Sequence, residues 1–163
     1  MLKNVLGLLW RNAPAKLRRW SARRLQQRFT VSAGAVVIDD QGRVLLLKHV
    51  FRTGTGWGIP GGFIDEGEQP EAAIKRELVE ETGLEIVQAE LAFVRTLKAI
   101  NHVEIIFRCK PRGLASARSF EIKELGWFDR DELPHDLGRD QREIINRALN
   151  EGANLRKQVI SDK

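Results

Sequence analysis

A chain of 163 residues with 42% apolar and 30% charged side chains is long enough for one domain around one hydrophobic core and too apolar to be disordered. Its one cysteine, Cys109, excludes an internal disulfide and a cysteine-based zinc site, and no apolar run approaches the ~20 residues that span a bilayer. The net charge of +5 is local: residues 1–30 hold Lys3, Arg11, Lys16, Arg18, Arg19, Arg23, Arg24 and Arg28 with no acid, while the remainder is slightly acidic, which argues against a nucleic-acid binder throughout.

Residues 1–28 read as a basic, amphipathic helical arm. Two short helices are expected, broken near Ala13 and Pro14; in the second, Leu17, Trp20, Leu25 and Phe29 recur at roughly helical spacing among Arg and Lys. Three roles stay open for the arm: packing on the domain or on a second subunit in a homodimer, lying on an anionic membrane, or gripping RNA through counterion release. A cytoplasmic location is the simplest reading of a chain with one thiol, although an acid-free, Arg-rich arm is also similar to an organelle transit peptide.

Residues 29–150 are expected to form the domain, with 151–163 as a C-terminal tail. An apolar, β-rich segment over 29–38 leads to a hairpin turn at Asp39, Asp40, Gln41 and Gly42, and a second strand returns over 43–49. A glycine-rich loop covers 53–62. Pro70 opens a helix that runs to Thr82, and Gly83 stands where a C-terminal cap belongs. Strands follow over 86–97, 102–109 and 120–128, then a helix over 140–149. Without a regular βαβ alternation, this order predicts a mixed sheet packed between helices.

The segment 62–84 reads GFIDEGEQPEAAIKRELVEETGL. Glu77, Glu80 and Glu81 are spaced i, i+3, i+4, so their carboxylates fall on one side of the helix about one turn apart. Like charges so placed destabilise an isolated helix by a few tenths of a kcal/mol per pair, and a divalent cation that prefers hard oxygen ligands, Mg²⁺ or Mn²⁺, would neutralise them. Glu68, in the preceding loop, offers a further carboxylate. Ala73, Ile74 and Leu78 can dock the helix on the sheet, Arg76 can pair with one of the acids, and Gly61 and Gly62 permit close backbone approach, where a bare carbonyl could complete a metal's coordination. Taken alone, the three glutamates are equally well read as a solvated acidic face.

At Gly62, Glu68, Arg76, Glu77, Leu78, Glu80, Glu81, Gly83 and Leu84 the string matches G-x5-E-x7-R-E-U-x-E-E-x-G-U, with U aliphatic. In this signature, in the approach Gly56 to Gly62 and in the later Trp127-Phe128, the chain resembles the Nudix hydrolase (MutT-like) family from about residue 30 to 149. The resemblance implies an α/β/α sandwich around a mixed β-sheet. It implies Glu77, Glu80 and Glu81 as ligands of catalytic Mg²⁺ or Mn²⁺, the Gly61 carbonyl as a further ligand, Glu68 as a support of the metal–water network and Arg76 as the orienting arginine. It also implies a downstream acid, catalytic and metal-binding: Glu121 is the first choice from its spacing to Trp127-Phe128, with Glu124 and Glu104 as alternatives.

The implied reaction is hydrolysis of a nucleoside diphosphate linked to another moiety, such as ADP-ribose or a nucleotide sugar. Alternatives are a MutT-type (d)NTP pyrophosphohydrolase, an RNA 5′-pyrophosphohydrolase that uses the basic arm, and a non-catalytic nucleotide sensor of the same fold, against which the intact acid box speaks. Subfamily markers do not decide: the chain has no tyrosine, no Ser-Gln-Pro-Trp-Pro-Phe-Pro motif and no proline over 97–100. Phe51 and Trp57 are candidate base-stacking groups, and Arg52, with His49 and His102, a candidate phosphate or ribose contact.

Overall fold

The computed structural model describes residues 3, 7, 10–18, 21, 27–52 and 54–161, and only the backbone from 151 onward. Strands β1 (Thr30–Val37), β2 (Val44–His49), β3 (Trp57–Gly58) and β4 (Gly61–Phe63) precede helix α1 (Pro70–Thr82). Strands β5 (Glu85–Leu97), β6 (His102–Arg112) and β7 (Ile122–Phe128) precede helix α2 (Arg139–Ser161), with 3-10 turns at Lys98–Ile100 and Arg130–Glu132. The strands form a four-stranded sheet, β4-β1-β6-β5, and a three-stranded sheet, β3-β2-β7. Among the described residues only the β1–β6 pairing is parallel, running in register from Thr30 opposite His102 to Val37 opposite Cys109.

The Asp39 turn forms, closed by its own carboxylate, which accepts from the backbone N–H of Gln41 (3.0 Å) and Arg43 (2.8 Å) and from Arg43 Nε (2.8 Å). The expected hairpin does not. Just past β1 the chain pairs with β2 through the isolated bridge Ile38–Val44, and the two strands enter different sheets. Both edges of β1 are already engaged, one by β4 and the other by β6, so the chain leaving the turn must start a new sheet. The loop expected over 53–62 carries β3 and leads into β4.

Alternation along the strands sorts the core into two layers. Ala33, Ala35, Val37, Leu45 and Leu47 face one cluster with Ala73, Ile74 and Leu78 of α1. Val36, Val44 and Leu46 face the other, with Ile144, Ile145 and Ala148 of α2. Both faces of β1 and β2 are thus covered by helices, which explains their near-continuous apolar sequence. The architecture is the helix–sheet–helix sandwich expected, with the sheet divided in two.

Pro70 at the first position and Gly83 in a left-handed conformation (φ 71°), its N–H bonded to Val79 O, bound α1 as the sequence predicts. α2 starts where expected but runs on through Gly152 to Ser161, past the end expected at Leu149. Gly152, a poor helix former, interrupts the helix signal in the sequence just past the expected end. Strand β7 begins at Ile122; Phe120 and Glu121 belong to a turn in which Ile122 N–H donates to Ser119 O (3.0 Å). In the arm, residues 10–12 and 15–18 are helical on either side of Ala13 and Pro14, and Trp10 and Leu17 are half exposed. Trp20 and Leu25 lie outside the described residues. Among the described residues no helix is long and apolar enough to cross a membrane.

Candidate active site

Helix α1 places its acids at graded depths. Its buried stripe runs through Ala73, Ile74, Leu78 and Thr82, and Glu81, three residues after Leu78, falls within it and is only 8% exposed. The Glu77 side chain is 16% exposed and that of Glu80 59%. The i, i+3, i+4 spacing therefore groups the three carboxylates but hides how differently each meets solvent.

Strand β4 passes beside this group. Gly61 N–H donates to Glu81 Oε2 (3.2 Å). A side chain at Gly62 would put its Cβ 2.1 Å from Glu77 Oε1, so a bare backbone is what lets the two segments approach. Gly61 itself has φ 148° and lies against the Ala33 carbonyl.

Arg76 holds the acids in place. Its Nε and Nη2 donate to Glu68 (3.0 and 2.9 Å), Nη1 donates to Glu77 Oε1 (2.8 Å) and Nη2 to Phe63 O (3.2 Å). Glu80 lies 3.6 Å from the same guanidinium. The Arg76 bonds, aided by Asp65 N–H, hold the Glu68 carboxyl down at about 2, and the Glu68 and Glu77 contacts push the guanidinium pKa higher still. The fork geometry, which lysine lacks, makes one cation serve several carboxylates.

Burial pushes Glu81 up to about 8, reinforced by the charges of Glu77 and Glu121 and opposed by Gly61 N–H and Arg52. His49 Nδ1 stands 3.9 Å from Glu81 Oε1. Burial and the Arg52 charge lower the imidazole to about 4, so at neutral pH this contact joins a neutral ring to the acid and is not an ion pair.

Among the described residues no three acidic, imidazole or thiol groups converge on one point; Glu77 and Glu80 both face Arg76. The donors nevertheless fit a hard cation: three carboxylates from consecutive turns, next to the bare Gly61–Gly62 backbone. The upward pull on Glu81 is the perturbation that a nearby divalent charge would reverse.

The remaining candidates sit around this centre. Glu121 is exposed, its carbonyl accepts from Val50 N–H (2.8 Å), and its charge reaches Glu81. Glu124 faces Lys48 at 3.8 Å and is half exposed. Glu104 pairs with Arg95, which also holds Asp140 through two bonds (2.6 and 2.7 Å). Arg52 and Glu104 line a cleft of about 190 Å³ with Ser32, Gly61, His102 and Gln141. The Arg52 guanidinium lies over Gly58, and its buried Nη1 has no hydrogen-bond partner. His102 is held at both ring nitrogens, by Thr30 Oγ1 (2.6 Å) and Ser32 Oγ (2.8 Å).

Phe51 is 72% exposed, whereas Trp57 is 7% exposed and packs edge-on against Phe128 at 5.3 Å. A larger hollow, about 570 Å³, is lined by Asp39, Asp40, Gln88, Arg108 and Lys110 and by none of the box residues. Sequence reading missed Gln141, whose Oε1 accepts from Ile59 N–H (2.9 Å), and Phe120, which meets Phe51 edge to face. Neither belongs to a motif.

The NUDIX domain family model matches residues 28–148. A MutT-like protein of Streptomyces ambofaciens is 36% identical over 104 residues, covering 64% of this chain and 66% of its own length. Nucleoside diphosphate-linked moiety X motif 6 of Xenopus laevis is 28% identical over 140 residues, covering 82% of this chain and 62% of its own. The chain thus spans under two thirds of the length of these curated relatives. The crystal structure of a MutT NUDIX hydrolase from Burkholderia pseudomallei superposes with a TM-score of 0.66 at 30% identity, over 74% of this chain and 98% of that one. With the family's domain matched across most of its length and its glutamates set along one helix beside two bare glycines, the chain belongs to the Nudix family.

Proposed function

We infer that the chain is a divalent-metal-dependent pyrophosphohydrolase acting on a nucleoside diphosphate linked to another moiety, with ADP-ribose or a nucleotide sugar as the leading substrate class. The observation that carries this reading is Glu81: a carboxylate 8% exposed, beside Glu77 and facing Gly61 N–H, on a helix whose arginine is committed to orienting acids. The name of the Xenopus relative, which refers to a nucleoside diphosphate-linked moiety, supports the substrate class.

Glu77, Glu80, Glu81 and Glu121, with the Gly61 carbonyl, would hold Mg²⁺ or Mn²⁺. When bound, such a cation screens the pyrophosphate charge and lowers the pKa of an attacking water. Arg76 fixes the carboxylate of Glu77 and, through Glu68, the loop before α1. The unpartnered Arg52 Nη1 supplies a donor to a phosphate or ribose oxygen in the cleft, and Phe51 offers a base-stacking ring at its edge. Trp57, packed in the core, is given no part in binding.

A phosphate-release screen over nucleotide sugars, ADP-ribose, dinucleotides, nucleoside triphosphates and triphosphorylated RNA, with Mg²⁺ or Mn²⁺ and beside Glu80→Gln, tests the reading. Metal-dependent turnover of one class that the substitution abolishes is the expected result. Tight nucleotide binding with no turnover of any compound would replace it with a nucleotide sensor. The RNA reading adds a role for the arm; equal activity on RNA with and without residues 1–28 would remove that role.

A further inference from the structure

We propose that Phe120, paired with Phe51, forms a stacking corner for the substrate's nucleobase at the rim of the site, which makes Phe120 a specificity-determining residue. The proposal rests on the nucleotide-hydrolase reading above. Both rings face solvent, Phe51 at 72% and Phe120 at 82% exposure. They meet edge to face, with centroids 6.2 Å apart and planes at 71°. A planar heterocycle laid on the open face of one ring meets the side of the other, an arrangement in which aromatic groups attract.

Position identifies the occupant. Phe51 immediately precedes Arg52, whose guanidinium lies over Gly58 in the cleft. Phe120 immediately precedes Glu121, whose charge reaches Glu81. The bond from Val50 N–H to Glu121 O (2.8 Å) ties the two segments together at the base of the rings, and the turn is braced by Glu121 N–H to Ser119 Oγ (3.2 Å). Each segment therefore presents a phenyl ring at the rim and a charged group toward the centre. Half-exposed Val50 continues the apolar rim. A nucleotide joins the two chemistries this edge offers, a flat aromatic ring for the corner and a polyanionic tail for the cation and metal-ligating acids. An aliphatic partner, or one without an anionic group, would leave one of the two unused.

The test compares binding of AMP and GMP with binding of ribose 5-phosphate, which lacks the base, by calorimetry on the full chain, for wild type, Phe120→Ala and Phe120→Trp. Both substitutions are at a solvent-facing ring and leave the core untouched. The alanine variant is expected to bind the mononucleotides more weakly by roughly 5- to 150-fold, the span of base–aromatic stacking, with ribose 5-phosphate unchanged and tryptophan restoring affinity. In turnover of a nucleotide substrate, KM rises and kcat stays. Unchanged mononucleotide affinity, an equal loss for ribose 5-phosphate, or wild type that binds mononucleotides no more tightly than ribose 5-phosphate overturns the proposal. A changed oligomeric state in Phe120→Ala with unchanged affinity overturns it too, and makes the patch a contact between copies. If wild type hydrolyses nothing yet Phe120→Ala still weakens mononucleotides selectively, the hydrolase reading fails and the stacking corner stands.

Discussion

Gly62→Ala isolates the positioning of one carboxylate from everything else in the site. The new Cβ would lie 2.1 Å from Glu77 Oε1 and 2.3 Å from Cδ, where ordinary contact begins near 3.4 Å. The carboxylate must therefore retreat by about 1.3 Å, breaking its 2.8 Å bond from Arg76 Nη1 on the way. Displacing a reacting group by 1 Å costs on the order of 10²-fold in rate, so kcat with saturating Mg²⁺ is expected to fall about 100-fold. The backbone at Gly62 lies outside the left-handed region, and the Glu77 side chain is not fully buried, at 16% exposure. Stability should change by no more than about 1 kcal/mol. Steady-state kinetics beside a thermal melt read the two effects separately. A kcat within threefold of wild type, with an unchanged melt, would refute the placing of Glu77 in the machinery.

Four further outcomes follow from named contacts. Arg76→Lys keeps the charge but loses the fork to Glu68 and Glu77, and turnover should drop at least tenfold, as kinetics will show. Glu121→Gln, at an exposed turn, should leave the melting temperature unmoved and cut turnover more than tenfold, whereas Glu124→Gln, which faces Lys48 at 3.8 Å on the half-exposed surface, should change neither. The Glu68 carboxyl is held at about 2 against an ordinary 4.5; a depressed carboxylate stabilises the fold above its unfolded pKa and ceases to as pH falls through the folded one. Melts from pH 6 to 2 should therefore show the advantage of wild type over Glu68→Gln shrinking between about 4.5 and 2, and a constant difference would contradict the Arg76–Glu68 pairing. Ile74→Ala, fully buried on α1, should cost about 2–5 kcal/mol by chemical denaturation.

Helix α1 was legible because everything that makes it is local: Pro70 at its start, Gly83 at its end and an apolar stripe through Ala73, Ile74 and Leu78. The helix-covered mixed sheet was legible in the order of its strands and helices, which lacks a regular βαβ alternation. The division into two sheets was not, because a tight turn after an apolar strand reads as a hairpin unless one knows that β4 and β6 have taken both edges of β1. In the site, the grouping of Glu77, Glu80 and Glu81 follows from helical spacing, but their burial depends on how α1 is rolled against the sheet, which three-residue spacing does not express. The cleft was least legible: Ser32, Arg52, Glu104 and Gln141 come from four separate elements, and no short motif can span them. Trp57 shows the same limit, since a tryptophan beside a glycine loop reads equally well as a stacking ring or, as here, a core filler.

The parallel pairing of β1 with β6 joins residues some seventy positions apart, Thr30 with His102 through Val37 with Cys109. During synthesis β1 emerges long before its partner, while the turn after it and α1 can form from sequence neighbours alone. Throughout that interval one edge of an apolar strand has backbone donors and acceptors unpaired, the condition under which chains associate with one another. Proteins truncated before His102 should therefore accumulate as aggregates, and ribosome-bound chains should become protease-resistant only once β6 has left the exit tunnel. The strand at the centre of the finished sheet is the one most exposed to misassembly while the sheet is being built.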